Sequence, residues 1–453
     1  MKLKAIYNTL FDNLFEGIKV NTLATFIPSW RRELGRLTNP NHLLKITLIL
    51  LFIHSFVTIN AQDNPHLMEE HSFVQYDSSY VHFYNDSNHF NHFFNKLDTL
   101  IFKGEGKVNV MQIGGSHIQA DIWSDQMRKN FQQLSPNHNG GRGFLFPYRI
   151  AHTNNPYYYK VTSTGEWTGY RNSLMKHHAT WGVSGITATT QDSAATLKFI
   201  FRGESTPFYD FNSIKIFHNL DSSAYCIEVV DDTCSLIQIN REIGYTEFIF
   251  DHYLDSFELN IYRYDTVVSN FDLYGISLDN DDPGLVYTSV GVNGASTKSY
   301  LRCELFTQHL QAIVPDLVIF CIGINDAYDP SFCGSCYETK YDSLVSWFKS
   351  VNPNVEFLFV TNNDSYYKRR YPNKRVFEAR DAMIRLSKKY DAGMWDMFNV
   401  MGGLGSIKTW QNNGYAKRDK IHLTKKGYIL MGNLMFEALM GAYDEHLQIK
   451  NAK

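Results

Sequence analysis

The chain changes its rhythm of apolar and polar positions three times. An apolar run, ITLILLFIHSFVTI at 46–59, follows the basic residues Arg31, Arg32, Arg36 and Lys45. It has the length of an export-signal core and falls short of the ~20 residues that cross a bilayer. TINAQD then offers a small-residue cleavage point near Ala61. Beyond it, HFNHFFNKLDTLIF spaces its apolar residues as a helix does. KVNVMQI reads as a buried strand and IWSDQMRKNFQQL as a helix. After NHNGGRGF the pattern shortens to strand-like runs: ATLKFIFRG, SIKIFHNL, AYCIEVV, CSLIQINRE, TEFIFDHY and SFELNIYRY. Asn, Asp, Ser and Gly punctuate them, which predicts a β-sandwich.

Strand–helix alternation returns after LDNDDPG. VYTSVG, DLVIFCIG, VEFLFVT and GMWDMF read as strands. SYLRCELFTQHLQAI, YDSLVSWFKSV, KRVFEARDAMIRLSKKY and KKGYILMGNLMFEALMGAY read as helices. Such alternation implies a doubly wound, mostly parallel sheet with helices on both faces. The predicted organisation is an N-terminal extension with signal peptide or signal anchor at 1–61, and an α/β domain in two parts at 62–137 and 279–453. A β-rich insert at 138–278 separates those parts. Residues 1–41 make an unusually long stretch before the apolar run and are left out of the fold. An exported protein, periplasmic or cell-envelope associated, is expected. Membrane anchoring through residues 43–59 is the alternative.

Composition adds little and excludes one class. Hydrophobic residues make up 44% and charged residues 20%, as in ordinary globular proteins. The 15% aromatic content suits β-rich packing, with exposed sugar-stacking rings as the other reading. A net charge of −3 gives no basis for nucleic-acid binding, which needs a clustered basic surface. Six cysteines in an exported chain permit disulfides. Cys333 and Cys336 form either a local disulfide or two free thiols. Cys226 and Cys234 flank VVDDT, read as a hairpin turn, and could pair. Cys321 reads as a small core residue.

Ligands of doubly wound sheets bind beyond the carboxyl ends of the strands, and the polar residues there form a set. IGGSH supplies Gly114, Gly115, Ser116 and His117; GVNGAST supplies Asn293 and Gly294; GIND supplies Asn325 and Asp326; RDKIHL supplies Asp419 and His422. A serine hydroxyl needs a base to become a nucleophile. His422 can be that base, and Asp419 can orient its ring and stabilise its charged form. The backbone N–H of Ser116, the backbone N–H of Gly294 and the Asn325 amide can hold an oxyanion, each such donor contributing ~3 kcal/mol to a transition state. A glycine at 294 lets substrate approach the backbone. No metal or cofactor is required, and His, Asp and Cys show no metal-ligand spacing.

These blocks, in this order, resemble the SGNH (GDSL-type) hydrolase superfamily over roughly 105–135 and 280–445. The resemblance implies an SGNH-type three-layer fold. It implies nucleophile and oxyanion roles for Ser116, oxyanion roles for Gly294 and Asn325, and an acid/base pair of Asp419 and His422. Gly115 stands where the family usually has aspartate, which leaves open a looser loop around the serine. GGRGFLFPYRIAHTNN, TWGVSGITATT and the β-rich insert look like the peptidoglycan O-acetylesterases, which carry a carbohydrate-binding-module-like β-sandwich at this place in the chain. That likeness implies a serine esterase acting on an O-acetylated cell-envelope or exported glycan, peptidoglycan foremost. Two alternatives stay open: a polysaccharide O-acetyltransferase with the same triad, and a non-catalytic glycan-binding protein.

Each residue also has a plainer reading. Ser116 would serve as a helix N-cap, and Asn325 as a turn residue. His117, Gln119 and Asp326 are candidates for pocket lining, with Asp326 also suited to bracing its loop. Asp121 reads as a first-turn helix acid. Trp167 and Trp181 are either sugar platforms or core.

Overall fold

Parallel strands with unbroken apolar runs must be covered on both faces, and that requirement organises the α/β part. The computed structural model describes residues 70–85, 90–134, 138–202, 208–220, 224–230, 234–265 and 269–452. The apolar run at 46–59 and its basic flank lie outside them. The described strands of the main sheet are β1 (Lys107–Gly114), β2 (Gly284–Gly291), β3 (Leu317–Cys321), β4 (Glu356–Val360) and β5 (Gly393–Trp395). They run parallel in the order β5-β4-β3-β1-β2, and the short strand Val81–His82 adds antiparallel to β5. The sheet grows outward from β1 in both directions. That makes β1 the switch point, where open α/β sheets form their sites.

The register fixes which loops meet. Gly114 of β1 is opposite Gly291 of β2 and Cys321 of β3. All three strands therefore end level, and the loops after them start side by side. Five longer helices among the described residues cover the sheet: one at Asn91–Lys103, then α1 (Ile122–Gln132), α2 (Gly334–Val351), α3 (Arg375–Tyr390) and α4 (Lys425–Asn451). On one face, Phe320 of β3 meets Tyr341 and Phe348 of α2 at 5.2 and 5.7 Å between ring centres. On the other, Phe131 of α1 sits edge-on to Phe436 of α4 at 5.1 Å and near Tyr287 of β2.

Antiparallel strands occupy the stretch from Gly141 to Asp279 and form a seven-stranded and a four-stranded sheet. The second comprises Tyr159–Ser163, Ala194–Phe201, Ser256–Arg263 and Tyr225–Val229. Its alternation is visible in AATLKFIF, where Ala195, Leu197 and Phe199 are buried. Phe199 stacks on Tyr159 and Phe257 at 4.7 and 5.6 Å. One hydrophobic cluster runs through these strands into the parallel sheet, from Phe199 and Phe217 to Phe320. The fold is thus α/β with added antiparallel β-sheets.

Several expectations need correction. SYLRCELFTQHLQAI is two short helices, Thr297–Tyr300 and Phe306–Leu310, rather than one. The break follows from ties to the antiparallel region: Leu305 N–H donates to the Trp181 carbonyl, and the Arg302 guanidinium binds the carbonyls of Asn172, Leu174 and His177. VVDDT does not join a hairpin. The strands before and after it pair in different sheets, and Cys226 and Cys234 are both free. Cys333 and Cys336 are disulfide-bonded. Trp167 and Trp181 are buried and give their indole N–H groups to the Thr164 and Tyr170 carbonyls, so neither is a sugar platform.

Asp121 holds a larger role than a helix-end acid. It enters α1 in the left-handed region, at φ 53°, and is buried with Asp125, Arg128 and Arg142. Arg128 donates to Asp121 at 3.0 Å, to Asp125 at 3.2 Å and to the Tyr287 carbonyl at 2.9 Å. Arg142 donates to the other Asp121 oxygen at 2.8 Å, and the Ser124 and Ser289 hydroxyls donate to the first. Burial alone would raise the Asp121 pKa, but the Arg128 and then the Arg142 guanidinium hold it below the usual carboxylate range. The network ties α1, the first antiparallel strand and β2 together. Removing one partner of such a buried pair strands a charge and typically costs about 3–5 kcal/mol. We expect Arg128→Ala to lose about that much in urea unfolding, and Arg128→Met combined with Asp121→Asn to lose less. A loss within 1 kcal/mol for Arg128→Ala, read from the transition midpoint, would contradict this.

Candidate active site

Ser116 follows Gly114 and Gly115 and opens a short helix, Ser116–Gln119. As the first helical residue, its backbone N–H has no acceptor within the helix. Its Oγ lies 2.7 Å from His422 Nε2, and His422 Nδ1 lies 2.8 Å from Asp419 Oδ2. These residues, separated by some three hundred positions in the chain, form one hydrogen-bonded line.

The Asp419 carboxylate also shapes its own loop. Its other oxygen accepts from the backbone N–H groups of Ile421 and His422, both at 3.0 Å. Burial would raise its pKa. The His422 ring and those two N–H groups outweigh burial and hold it well below the usual carboxylate range. The loop is anchored from outside as well. Lys417 N–H donates to the His422 carbonyl, Tyr366 N–H to the Lys420 carbonyl, and the Asn363 amide to the Ile421 carbonyl.

The loops that carry the expected oxyanion donors adjoin the loop that carries the serine. The Asn325 amide donates to the Ala295 carbonyl at 2.8 Å, leaving its second N–H for a ligand. Gly294 has φ +81°, a conformation that glycine takes without strain. The Asn293 carbonyl beside it accepts from Ser173 at 2.8 Å, so the antiparallel region buttresses this loop. A Cβ on Gly115 would lie 3.3 Å from the Asn325 amide nitrogen and 3.4 Å from the Ala295 carbonyl oxygen. The position is therefore filled by its neighbours. The loop backbone is held too: the Gly115 carbonyl accepts from Ile118 and Gln119, and the Gly114 carbonyl from the Tyr300 hydroxyl at 2.7 Å.

Comparison with known proteins bears on the family and the fold. Residues 272–430 match the GDSL-like Lipase/Acylhydrolase family model. Over that segment the chain is similar to GDSL-like lipases and acylhydrolases, and the α/β part has the SGNH-type fold. Ser116 falls outside the matched segment because the antiparallel strands separate it from the other blocks. A solved peptidoglycan O-acetylesterase superposes with TM-score 0.67 at 20% identity, over 81% of this chain and 99% of that one. That likeness covers both the SGNH domain and the antiparallel sheets. Smaller matches include an acetyl xylan esterase (18% identity, 35% of this chain and 82% of that one, TM-score 0.29). Another is a GDSL-like lipase from Bacteroides thetaiotaomicron (16%, 36% and 76%, TM-score 0.27). No curated protein matches the sequence.

The three residues read as pocket lining divide. His117 stands against the His422 ring at 5.1 Å and bonds the Tyr428 hydroxyl through Nδ1. Burial, then the proximity of His422, pushes its pKa down to about 3, so it is a neutral wall of the SGNH site. Gln119 and Asp326 are both held by neighbouring loops. Gln119 is buried and joins Thr153, Asn154 and the Asn293 N–H; Asp326 is buried and binds Thr297 through its N–H and hydroxyl. Both are braces, because each is saturated by neighbouring loops.

One loop was missed. TNND follows β4, and Asn362, Asn363 and Asp364 are all buried at the same sheet edge. Its polar run directly after an apolar strand was the available cue.

Asp419 links the site to acid stability. A carboxylate with a depressed folded pKa contributes stability that is present above its unfolded pKa, about 3.9, and is lost as pH falls through the folded value. We expect the unfolding midpoints of the wild type and Asp419→Asn to differ by a constant amount above about pH 5.5, and to converge as pH drops from about 4 toward 2. A gap unchanged at the acid end would refute this.

Proposed function

We propose that the protein is a serine esterase that removes O-acetyl groups from a cell-envelope or exported polysaccharide, peptidoglycan foremost. The observation that carries this is the hydrogen-bonded line Ser116–His422–Asp419 at the level edge of β1, β2 and β3. In acylation, Ser116 Oγ attacks the acetyl carbonyl carbon while His422 Nε2 takes the hydroxyl proton. Negative charge develops on the carbonyl oxygen, where the N–H groups of Ser116 and Gly294 and the Asn325 amide would receive it. Collapse breaks the bond to the sugar oxygen, which takes the proton from His422. Water then attacks the acetyl-serine with His422 again as base, releasing acetate and restoring Ser116. Asp419 holds the imidazole in one orientation and stabilises its positive charge.

The fold-level likeness to a peptidoglycan O-acetylesterase supports the substrate class by analogy. The apolar run at 46–59 with its basic flank supports export to the periplasm or envelope.

Purified protein should release acetate from an aryl acetate and from O-acetylated peptidoglycan. Ser116→Ala should lower kcat by roughly 10⁴-fold or more, and Asn325→Ala by about 10²–10³-fold. Asp419→Asn should cost on the order of 10²–10⁴-fold. Release by Ser116→Ala equal to the wild type would overturn the reading. Aryl acetate turnover without release from peptidoglycan would keep the esterase and remove that substrate.

A further inference from the structure

Basic residues crowd the loops around Ser116 in a chain whose net charge is −3. Residues 366–375 contain five Lys and Arg and no acid; residues 417–426 contain five and a single acid, Asp419, which His422 already engages. The two stretches are joined beside the site by the Tyr366 N–H bond to the Lys420 carbonyl.

Several of these cations rest on tyrosine rings. Lys420 lies 4.5 Å from the centre of the Tyr366 ring and Lys368 lies 5.3 Å from that of Tyr367. Lys425 and Arg202 lie 5.4 and 4.7 Å from the centre of the Tyr157 ring, which is 52% exposed. Among the described residues, no carboxylate lies within ion-pair distance of Lys368, Lys420 or Lys425. The distinction matters. A carboxylate partner would neutralise the cation, whereas a ring face orders the side chain and leaves its charge available.

Tyr157 also stands at a pocket of about 430 Å³. One wall begins at Ala120, four residues beyond Ser116 along the same helical segment, or ~6 Å of axial rise. Arg149, Lys160 and Arg202 are the charged residues of its lining, which includes no acid. Its remaining surface is mainly apolar, from Ile122, Pro156, Tyr159 and Val161. Apolar walls with a few convergent cations suit a sugar ring that carries an acidic substituent.

Resting on the esterase reading, we propose that the O-acetylated substrate is an anionic glycan. Its carboxylate or phosphate groups lie against the tyrosine-braced lysines Lys368, Lys420 and Lys425. Peptidoglycan, with carboxylates on its peptides, falls within this class. A neutral acetylated hemicellulose does not.

Binding tests the charge preference apart from turnover. Ser116→Ala protein keeps the acetyl esters intact during calorimetry. Three probes suffice: O-acetylated polygalacturonate, an O-acetylated phosphodiester glycan and acetylated mannan. At ~50 mM salt, at least one anionic polymer should bind about tenfold or more tighter than mannan, and the advantage should shrink as salt rises. The better of the two anionic probes identifies the group recognised. Adding Lys425→Glu and Arg202→Glu should weaken anionic binding at least tenfold more than mannan binding. The fold is verified by an unchanged melting transition. Equal affinity for all three polymers, or equal losses from the charge reversals, would overturn the proposal. Absence of aryl acetate turnover by the wild type would fail the esterase reading alone. Turnover without a charge preference would fail this inference alone.

Discussion

The site depends on how closely three strand ends can approach. β1, β2 and β3 finish level at Gly114, Gly291 and Cys321. A Cβ on Gly114 would lie 2.7 Å from the Cys321 carbonyl oxygen, and one on Gly291 would overlap the backbone of Ile118 and Gln119. Backbone there packs on backbone. Larger residues would force the strands apart and separate the serine loop from the loops bearing Gly294 and Asn325. The glycines before Ser116 thus answer first to packing, and the chemistry inherits the geometry. Gly115 belongs to the same arrangement: the Asn325 amide and the Ala295 carbonyl fill the space where a side chain would begin.

A second layer keeps that edge from moving. Gln119 reaches Thr153, Asn154 and Asn293, and Ser173 supports Asn293 from the antiparallel region. Arg302 clamps the turn that carries Ser173. Behind them, the buried Asp121–Arg128–Arg142 network joins α1, β2 and the first antiparallel strand. The antiparallel sheets are therefore part of the scaffold of the SGNH site as well as an addition to it. Their shared hydrophobic core with the parallel sheet has the same consequence. Tyr157 and Arg202 lie in the chain between β1 and β2 together with these sheets.

Much of this was legible along the chain. Apolar runs ending in Gly, Asn or Ser marked β1, β2 and β3, because a covered parallel strand must be apolar and its loop must turn tightly. The helix from Lys425 followed from its apolar spacing, and Thr424 caps it as a helix start should be capped. Ser116, Gly294, Asn325, Asp419 and His422 were readable as candidates because each stands beyond a strand end or just before the last helix. Residues whose role depends on a distant partner were not readable. Asp121 looks like any helix acid until Arg142 and Ser289 arrive, and Gln119 looks like pocket lining until Thr153 and Asn293 claim its amide. The break at Leu301–Leu305 is invisible in periodicity, since Arg302 and the Trp181 carbonyl impose it from another region.

The sequence by itself determined the class of fold, the strand–helix order and the short list of reactive residues, because periodicity and turn chemistry are local. Tertiary structure alone decided that Ser116 meets His422 across some three hundred positions, that Asp419 turns one oxygen to the ring and the other to its own loop, and that Trp167 and Trp181 are core. It also decided that Lys368, Lys420 and Lys425 rest on tyrosine rings. Distances between loops are set by sheet register and by packing of side chains at the sheet edge, and neither is written in any single stretch of the chain.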